Sequence, residues 1–259
     1  MNGSGAETGT SPGAAGSNRG ASGFDACAAL RIGTLEDAKV RLEPLGLGHV
    51  AGLTAAAAES PAEYQLAPVP TDSEGMRAYV LQAMAEAEAG RSVPFAIVDL
   101  RGAGATRAQT PRVVGSTRLM SLEWWAWPPR PIQVDGEPRL AAAGHPPDVA
   151  ELGSVWLAAS VLRTAVNTAA CVLLMTHAFE SWRVHRLTLK TDARNQRSRA
   201  AILRLGGKFE GILRAHLPAA DGQIRDTAMF SVVRSEWSAL KPRLEAELRR
   251  GPAGQEDPR

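Results

Sequence analysis

Three groups of residues in the second half of the chain have the types and spacing to do chemistry. The first is RTAVNT (163–168), a polar turn between an apolar run and a helical stretch. A helix N-terminus leaves backbone N–H groups without partners and carries partial positive charge, so it attracts anions, phosphate above all. Arg163 adds a full charge, Thr164 and Thr168 add hydroxyls, and Ala165, Val166 and Asn167 add backbone amides. The competing reading is an ordinary capped helix with Asn167 or Thr168 as the cap. The turn contains no glycine, so it is neither a P-loop nor a dinucleotide fingerprint.

The second group is Asn195 and Ser198 in RNQRSRAAILRLGG (194–207). Ser198, Ala201, Ile202 and Leu205 fall on one helical face, so Ser198 is the polar member of the inward face. Asn195 caps this helix or fixes a ligand's polar arm; Ser198 is a first-turn residue or reaches a reacting atom. The third is Glu151, a carboxylate at the start of a strand, solvated unless it turns into a cleft, where it serves as a general base toward an ammonium. The histidines 49, 145, 177, 185 and 216 lack metal-ligand spacing, and no metal is expected. His177 reads as a hydrogen-bonded core residue and Asp226, beside Arg225, as a salt-bridged one.

These residues need a strand, a turn, a helix, a second strand and a second helix to hold them. The pattern supplies strand 151–162, helix 167–182, strand 186–193 and helix 194–207. Ahead of it come strand 38–45, helix 46–60, a proline-rich loop and helix 71–90 with Thr71 and Glu74 at capping-box spacing. Strands 93–100 and 112–124 follow. After it come strands 208–217 and 227–234 around Asp221-Gly222, then an amphipathic helix 235–250 in which Pro242 predicts a kink or break. The predicted fold class is α/β with a mixed sheet. Residues 1–36 read as a flexible tail, 37–250 as one domain, and 251–259 as a frayed end. Within the domain, 125–150 is a Trp/Pro-rich insertion that either tucks its aromatics onto the body or forms a lid or partner surface.

With 29 basic and 27 acidic side chains the net charge is +2, which gives no support to direct nucleic-acid or membrane binding. With only two cysteines no disulfide framework is expected, no signal peptide or membrane-length apolar run appears, and a cytoplasmic location is expected.

The pieces ELGSVWLAASVLRTAVNT, LKTDARNQRSRAAILRLGGKFEGILRAH and DGQIRDTAMFSVVRSEW resemble the GNAT N-acetyltransferase superfamily, within it the group of ribosomal-protein N-terminal acetyltransferases RimJ and RimL. VRLEPL and VVGSTRL fit the N-terminal half more loosely, so the resemblance spans most of 37–248. It implies a twisted mixed sheet with helices on both faces and a parallel pair, 151–162 and 186–193, that splays to admit the pantetheine arm of acetyl-CoA. The family's phosphate loop usually reads Arg/Gln-x-x-Gly-x-Gly/Ala. Here Arg163 is kept, while Val166 and Thr168 replace the small residues. The resemblance further implies that Leu157, Ala158 and Ala159 line the arm, that Asn195 contacts it, that Ser198 protonates the leaving thiolate, and that Glu151 is the base.

The expected function is transfer of an acetyl group from acetyl-CoA to an amine, a protein N-terminus or a small molecule, by direct attack, with a backbone N–H between Leu157 and Ser160 stabilising the oxyanion. The rivals are a non-catalytic acyl-CoA-binding module, a succinyl-CoA-dependent transferase, and an ordinary α/β domain binding another phosphate ligand. Homodimerisation through the sheet edge or the terminal helix is left open.

Overall fold

The computed structural model describes residues 30–101, 110–128, 132–134, 137–139 and 144–250. Most of the expected tail, residues 1–29, and the expected frayed end, 251–259, lie outside them. Part of the expected tail is packed: Leu30 and Ile32 are buried in the core, and β1 (Leu35–Glu36) pairs antiparallel with β2 (Val40–Pro44). Two apolar residues at strand spacing explain why this stretch docks instead of trailing.

After β2, a single 3-10 turn (Leu47–His49) leads into α1 (Val50–Ala58), and α2 (Ser73–Glu88) follows the proline-rich loop. The cap of α2 is Asp72, whose carboxylate accepts the Gly75 N–H at 2.8 Å, not the expected Thr71. An aspartate one residue nearer the first turn outcompetes the threonine for the orphan amide. Strands β3 (Ser92–Asp99) and β4 (Arg112–Glu123) return antiparallel, and a two-stranded unit, β5 (Ile132–Val134) with β6 (Glu137–Arg139), lies in the insertion. Then come β7 (Val149–Leu157), α3 (Val166–Thr176), a π-helical turn at His177–Ser181, β8 (Arg186–Asp192), α4 (Gln196–Arg204), β9 (Lys208–Pro218), β10 (Ile224–Val233) and α5 (Arg234–Arg250). Helix α5 continues through Pro242 without a break; Trp237, Leu240 and Leu244 are buried on both sides of it, and their packing outweighs the lost backbone bond.

The main sheet has the order β1-β2-β3-β4-β7-β8-β10-β9. Every neighbouring pair is antiparallel except β7 and β8. Side chains of both parities are buried along β3 and the middle of β4, which requires cover on both faces. α1 packs with α2 over β3 and β4, while α3 packs with α5 and reaches β2 and β7. Among the described residues no helix is long and apolar enough to cross a membrane.

Two features of the sheet decide where the site lies. The parallel pairing of β7 with β8 lasts three residue pairs, Val149 with Arg186 to Glu151 with Thr188, and stops. Just beyond, the β4–β7 register slips by one residue around Ser154, which has φ of +50°. A bulge bends and twists its strand, and this one carries the rest of β7 away from β8. The register slips back around Ser121 of β4, φ +48°. The strand ends at Leu157, five residues before the expected 162. Ala159–Val161 form a 3-10 turn because the Val161 N–H turns back to the Ala158 carbonyl at 3.1 Å.

Candidate active site

Helix α3 packs against β7 and helix α4 against β8, the two strands that border the gap. Helix α3 starts at Val166 without a side-chain cap and with no acidic residue in its first turn. Neither Asn167 nor Thr168 caps it. The Thr164 hydroxyl is occupied, donating to the Val161 carbonyl at 2.6 Å, and this pins the turn. Arg163 is exposed and sits in the left-handed region, φ +60°, a conformation that costs a non-glycine residue about 1–2 kcal/mol. The Val166 N–H reaches the Thr164 Oγ1 at 3.4 Å, and Ala165, in the cap position of this eleven-residue helix, has no side-chain cap, so its N-terminus with Arg163 beside it suits an anion.

Asn195 is the cap of α4: its side-chain oxygen accepts the Ser198 N–H at 3.0 Å. The side-chain NH2 is not used by that bond, so the cap and the ligand contact are compatible roles. Ser198 is half-buried on the inward face with Ala201, Ile202 and Leu205, as the spacing predicts. The loop before α4 is held by Asp192, whose buried carboxylate accepts two guanidinium bonds from Arg194, at 3.0 and 2.7 Å, and the Arg194 N–H at 2.9 Å. Those bonds hold Asp192 below the usual carboxylate range.

Glu151 stands at the last paired position of β7 and is only 4% exposed. Its carboxylate takes the Lys190 ammonium at 2.8 Å and the Ser121 hydroxyl at 2.8 Å. Where backbone pairing between β7 and β8 ends, this ion pair crosses between the strands. The bulge at Ser121 brings its hydroxyl to Glu151, and Gly153 leaves the carboxylate room: a Cβ there would sit 2.9 Å from the Glu151 Oε1. Glu151 thus faces the sheet interior at the apex of the gap and is not solvated.

Leu157 ends β7, and Ala158 and Ala159 lead from it into the 3-10 turn. Two of the amides expected to serve an oxyanion are in use: Ala158 donates to the Val114 carbonyl at 2.7 Å and Ser160 to the Glu59 carboxylate at 2.8 Å. A residue the spacing did not reveal stands here. The Tyr64 hydroxyl donates to the Leu157 carbonyl at 2.9 Å, and its ring meets Trp156 edge-on. Burial, with the charges of Glu59 and Glu63, pushes its phenol up to about 12, so it stays protonated at neutral pH. Glu63, one residue back, pairs with Arg197 of α4 and ties the Tyr64 loop to the Ser198 helix. Tyr64 gives no sequence signal because its partner is 93 residues away.

Trp125 and Trp127 pack on His185, with ring centroids 5.4 and 5.3 Å away, and both donate to Asp148, so this end of the insertion tucks onto the body. His177 is not the hydrogen-bonded core residue expected: its buried Nε2 has no hydrogen-bond partner among the described residues, and the ring packs edge-on against Trp182. Asp226 accepts the Ala215 N–H at 2.8 Å and holds the β9–β10 bulge in place of an ion pair with Arg225. Among the described residues no three His, Cys, Asp or Glu side chains come together as a metal site.

A family model described as an acetyltransferase (GNAT) domain matches residues 39–208. Over 92 residues the chain is 34% identical to a Bacillus subtilis (strain 168) protein provisionally named ribosomal N-acetyltransferase YdaF; the match covers 36% of this chain and about half, 49%, of that protein. A crystal structure of a GCN5-related N-acetyltransferase from Brucella melitensis superposes with a TM-score of 0.64 and 28% identity, over 83% of this chain and 85% of that one. Mycobacterium smegmatis RimJ, in complex with CoA-disulfide, shares the fold with a TM-score of 0.62 and 21% identity, over 85% and 94% of the two chains.

Proposed function

The chain belongs to the acetyltransferase (GNAT) domain family, and from that premise we propose that it transfers an acetyl group from acetyl-CoA to an amine. The observation that carries the reading is the three-pair contact of β7 and β8 followed by the bulge at Ser154. It leaves β7 backbone facing a gap into which an extended arm fits by strand-like pairing, and one turn carries the chain from the end of β7 to the N-terminus of α3.

In this reading the Arg163–Thr168 turn holds the pyrophosphate, Leu157, Ala158 and Ala159 line the arm, and the Asn195 side-chain amide contacts it. The amine loses its proton to Glu151, directly or through water, and attacks the thioester carbonyl. The Ala159 amide, its neighbours being engaged, receives the developing oxyanion. Ser198 gives a proton to the departing thiolate. Tyr64 holds the Leu157 carbonyl in place and so fixes the strand against which the arm lies. A protein N-terminus as acceptor, suggested by the names of YdaF and RimJ, and a cytoplasmic setting complete the reading.

The test is a thermal melt with and without acetyl-CoA, in wild type and Asn195→Ala. Ligand at 100 times Kd adds about 2.7 kcal/mol, a rise of roughly 5–10 °C for a domain of this size. The Asn195→Ala protein melts lower without ligand because it loses a cap worth about 1 kcal/mol, so the shifts, not the melting temperatures, are compared. A wild-type shift that shrinks in the variant supports the site; no shift at millimolar acetyl-CoA refutes it. Release of free CoA in the presence of an amine then separates a transferase from a silent binding module.

A further inference from the structure

A cavity of about 510 Å3 opens between α2 and the β3–β4 pair, outside the cofactor gap. Two of its lining groups are buried polar side chains that lack hydrogen-bond partners among the described residues: the Arg118 Nε and the Ser92 hydroxyl. Arg118 is 9% exposed and Ser92 4%. Buried groups of this kind are costly, a guanidinium most of all. The Arg118 guanidinium rests on the Tyr79 ring, 5.4 Å from its centroid, and no carboxylate pairs with it among the described residues. Glu86, the carboxylate that lines the same cavity, is bidentate on Arg91 at 2.6 and 2.9 Å.

The sheet register connects this cavity to Glu151. Ser92 lies opposite Met120, and Met120 lies opposite Glu151, so the three share one face in a single row across β3, β4 and β7. Arg118 lies opposite Pro94 and Gly153, on the same face one step along. Arg118 and Glu151 are therefore diagonal neighbours, about 7–8 Å apart, and Gly153 puts no side chain between them. Ser121, which lines the cavity, is the residue that donates to Glu151. Glu151 is neutralised by Lys190 and Glu86 by Arg91, which leaves Arg118 as the uncompensated charge facing the cavity.

We propose that this cavity is the acceptor subsite and that Arg118 and Ser92 bind a carboxylate carried by the amine acceptor. The proposal rests on the transferase reading for the direction in which the amine points. The carboxylate lies on the guanidinium and the Ser92 hydroxyl, and Met120 and Trp124 flank the intervening carbons. The amine is directed toward Glu151. The separation suits an amine and a carboxylate one to two residues apart in an extended chain, at about 3.3–3.6 Å per residue. An acidic N-terminal peptide and a free amino acid with a side-chain carboxylate both carry this chemistry.

The experiment is calorimetric binding to the full chain in the presence of CoA, which permits no turnover. The probes are two matched pairs: glutamate against glutamine amide, and Ala-Asp-Ala-Ala amide against Ala-Asn-Ala-Ala amide. A carboxylate on a buried guanidinium predicts at least a tenfold preference for the acidic member of one pair, and which pair shows it identifies a free amino acid or a peptide as the source. Arg118→Gln is expected to reduce that preference to within twofold without changing CoA affinity, and Ser92→Ala to reduce it about threefold. Equal binding within both pairs, or a preference that survives Arg118→Gln in a protein that melts cooperatively, overturns the proposal. So does a carboxylate preference that resides in the acyl donor, read as an Arg118-dependent choice of succinyl-CoA over acetyl-CoA. CoA affinity and acetyl transfer to the neutral probes are read separately, so failure of the transferase reading and failure of the subsite give different results.

Discussion

Replacing Lys190 by methionine tests whether the ion pair at the apex of the gap holds the two parallel strands together. The pair joins a carboxylate 5% exposed to an ammonium 21% exposed, 2.8 Å apart. Removing one partner of a fully buried pair costs about 3–5 kcal/mol, because the other charge is left uncompensated. Water reaches Lys190 in part, so the expected cost of Lys190→Met is nearer to about 2–3 kcal/mol. Glu151→Gln leaves an ammonium that can turn toward water and an amide that keeps the Ser121 hydroxyl, and costs about 1 kcal/mol. The double variant buries no charge. It is expected to lose about 1–2 kcal/mol, well short of the sum of the single losses. Urea unfolding with a common slope gives the three values, and melting temperatures follow at roughly 2–4 °C per kcal/mol. Activity separates the structural role from the chemical one: the double variant regains stability over Lys190→Met, yet loses the same factor of about 100 in kcat that Glu151→Gln loses if Glu151 is the base. A Lys190→Met protein within 0.5 kcal/mol of wild type, or single losses that simply add, would refute the reasoning.

Arg163→Gly removes a left-handed arginine, φ +60°, and with it about 1 kcal/mol of strain, offset in part by the greater freedom of glycine in the unfolded chain. Stability is expected to stay level or rise by a few tenths of a kcal/mol while CoA binding weakens about five- to tenfold; a loss of stability above about 1 kcal/mol contradicts it. The Arg194 hydrogen bonds hold Asp192 below its ordinary range, so its contribution to stability is complete above the unfolded value of about 3.9 and is lost as pH falls through the lower folded value. The difference in melting temperature between wild type and Asp192→Asn should be constant from pH 5 to 8 and shrink below about pH 4; a difference that grows on acidification has the wrong sign for this linkage.

The parts of this site visible in the sequence are those set by local periodicity, and the parts that were hidden are those set by register. The inward face of α4, the cap at Asn195 and the turn ahead of α3 all follow from spacings of a few residues, and the structure keeps each of them. The sequence predicts strand 151–162 too long because VWLAASVL is apolar but for Ser160, and such a run carries no mark of where β pairing ends. The bulges at Ser121 and Ser154 are invisible for a related reason. A one-residue slip exchanges the faces of a strand, yet serine is an ordinary strand residue and announces nothing. Those slips place the Ser121 hydroxyl on Glu151 and part β7 from β8. Charged residues inside strands are read as solvent-facing by default, which hides Lys190 and Arg118 equally. Both faces of β4 are covered in the fold, so Arg118 is buried wherever it points. A strand position that local rules assign to water and the fold assigns to the interior is a conflict between levels, and such conflicts mark function more often than defect. By that argument the two cations on either side of Glu151, a half-buried paired one and a buried unpaired one, have different tasks: Lys190 holds the gap at its apex, and Arg118 awaits an anion from outside.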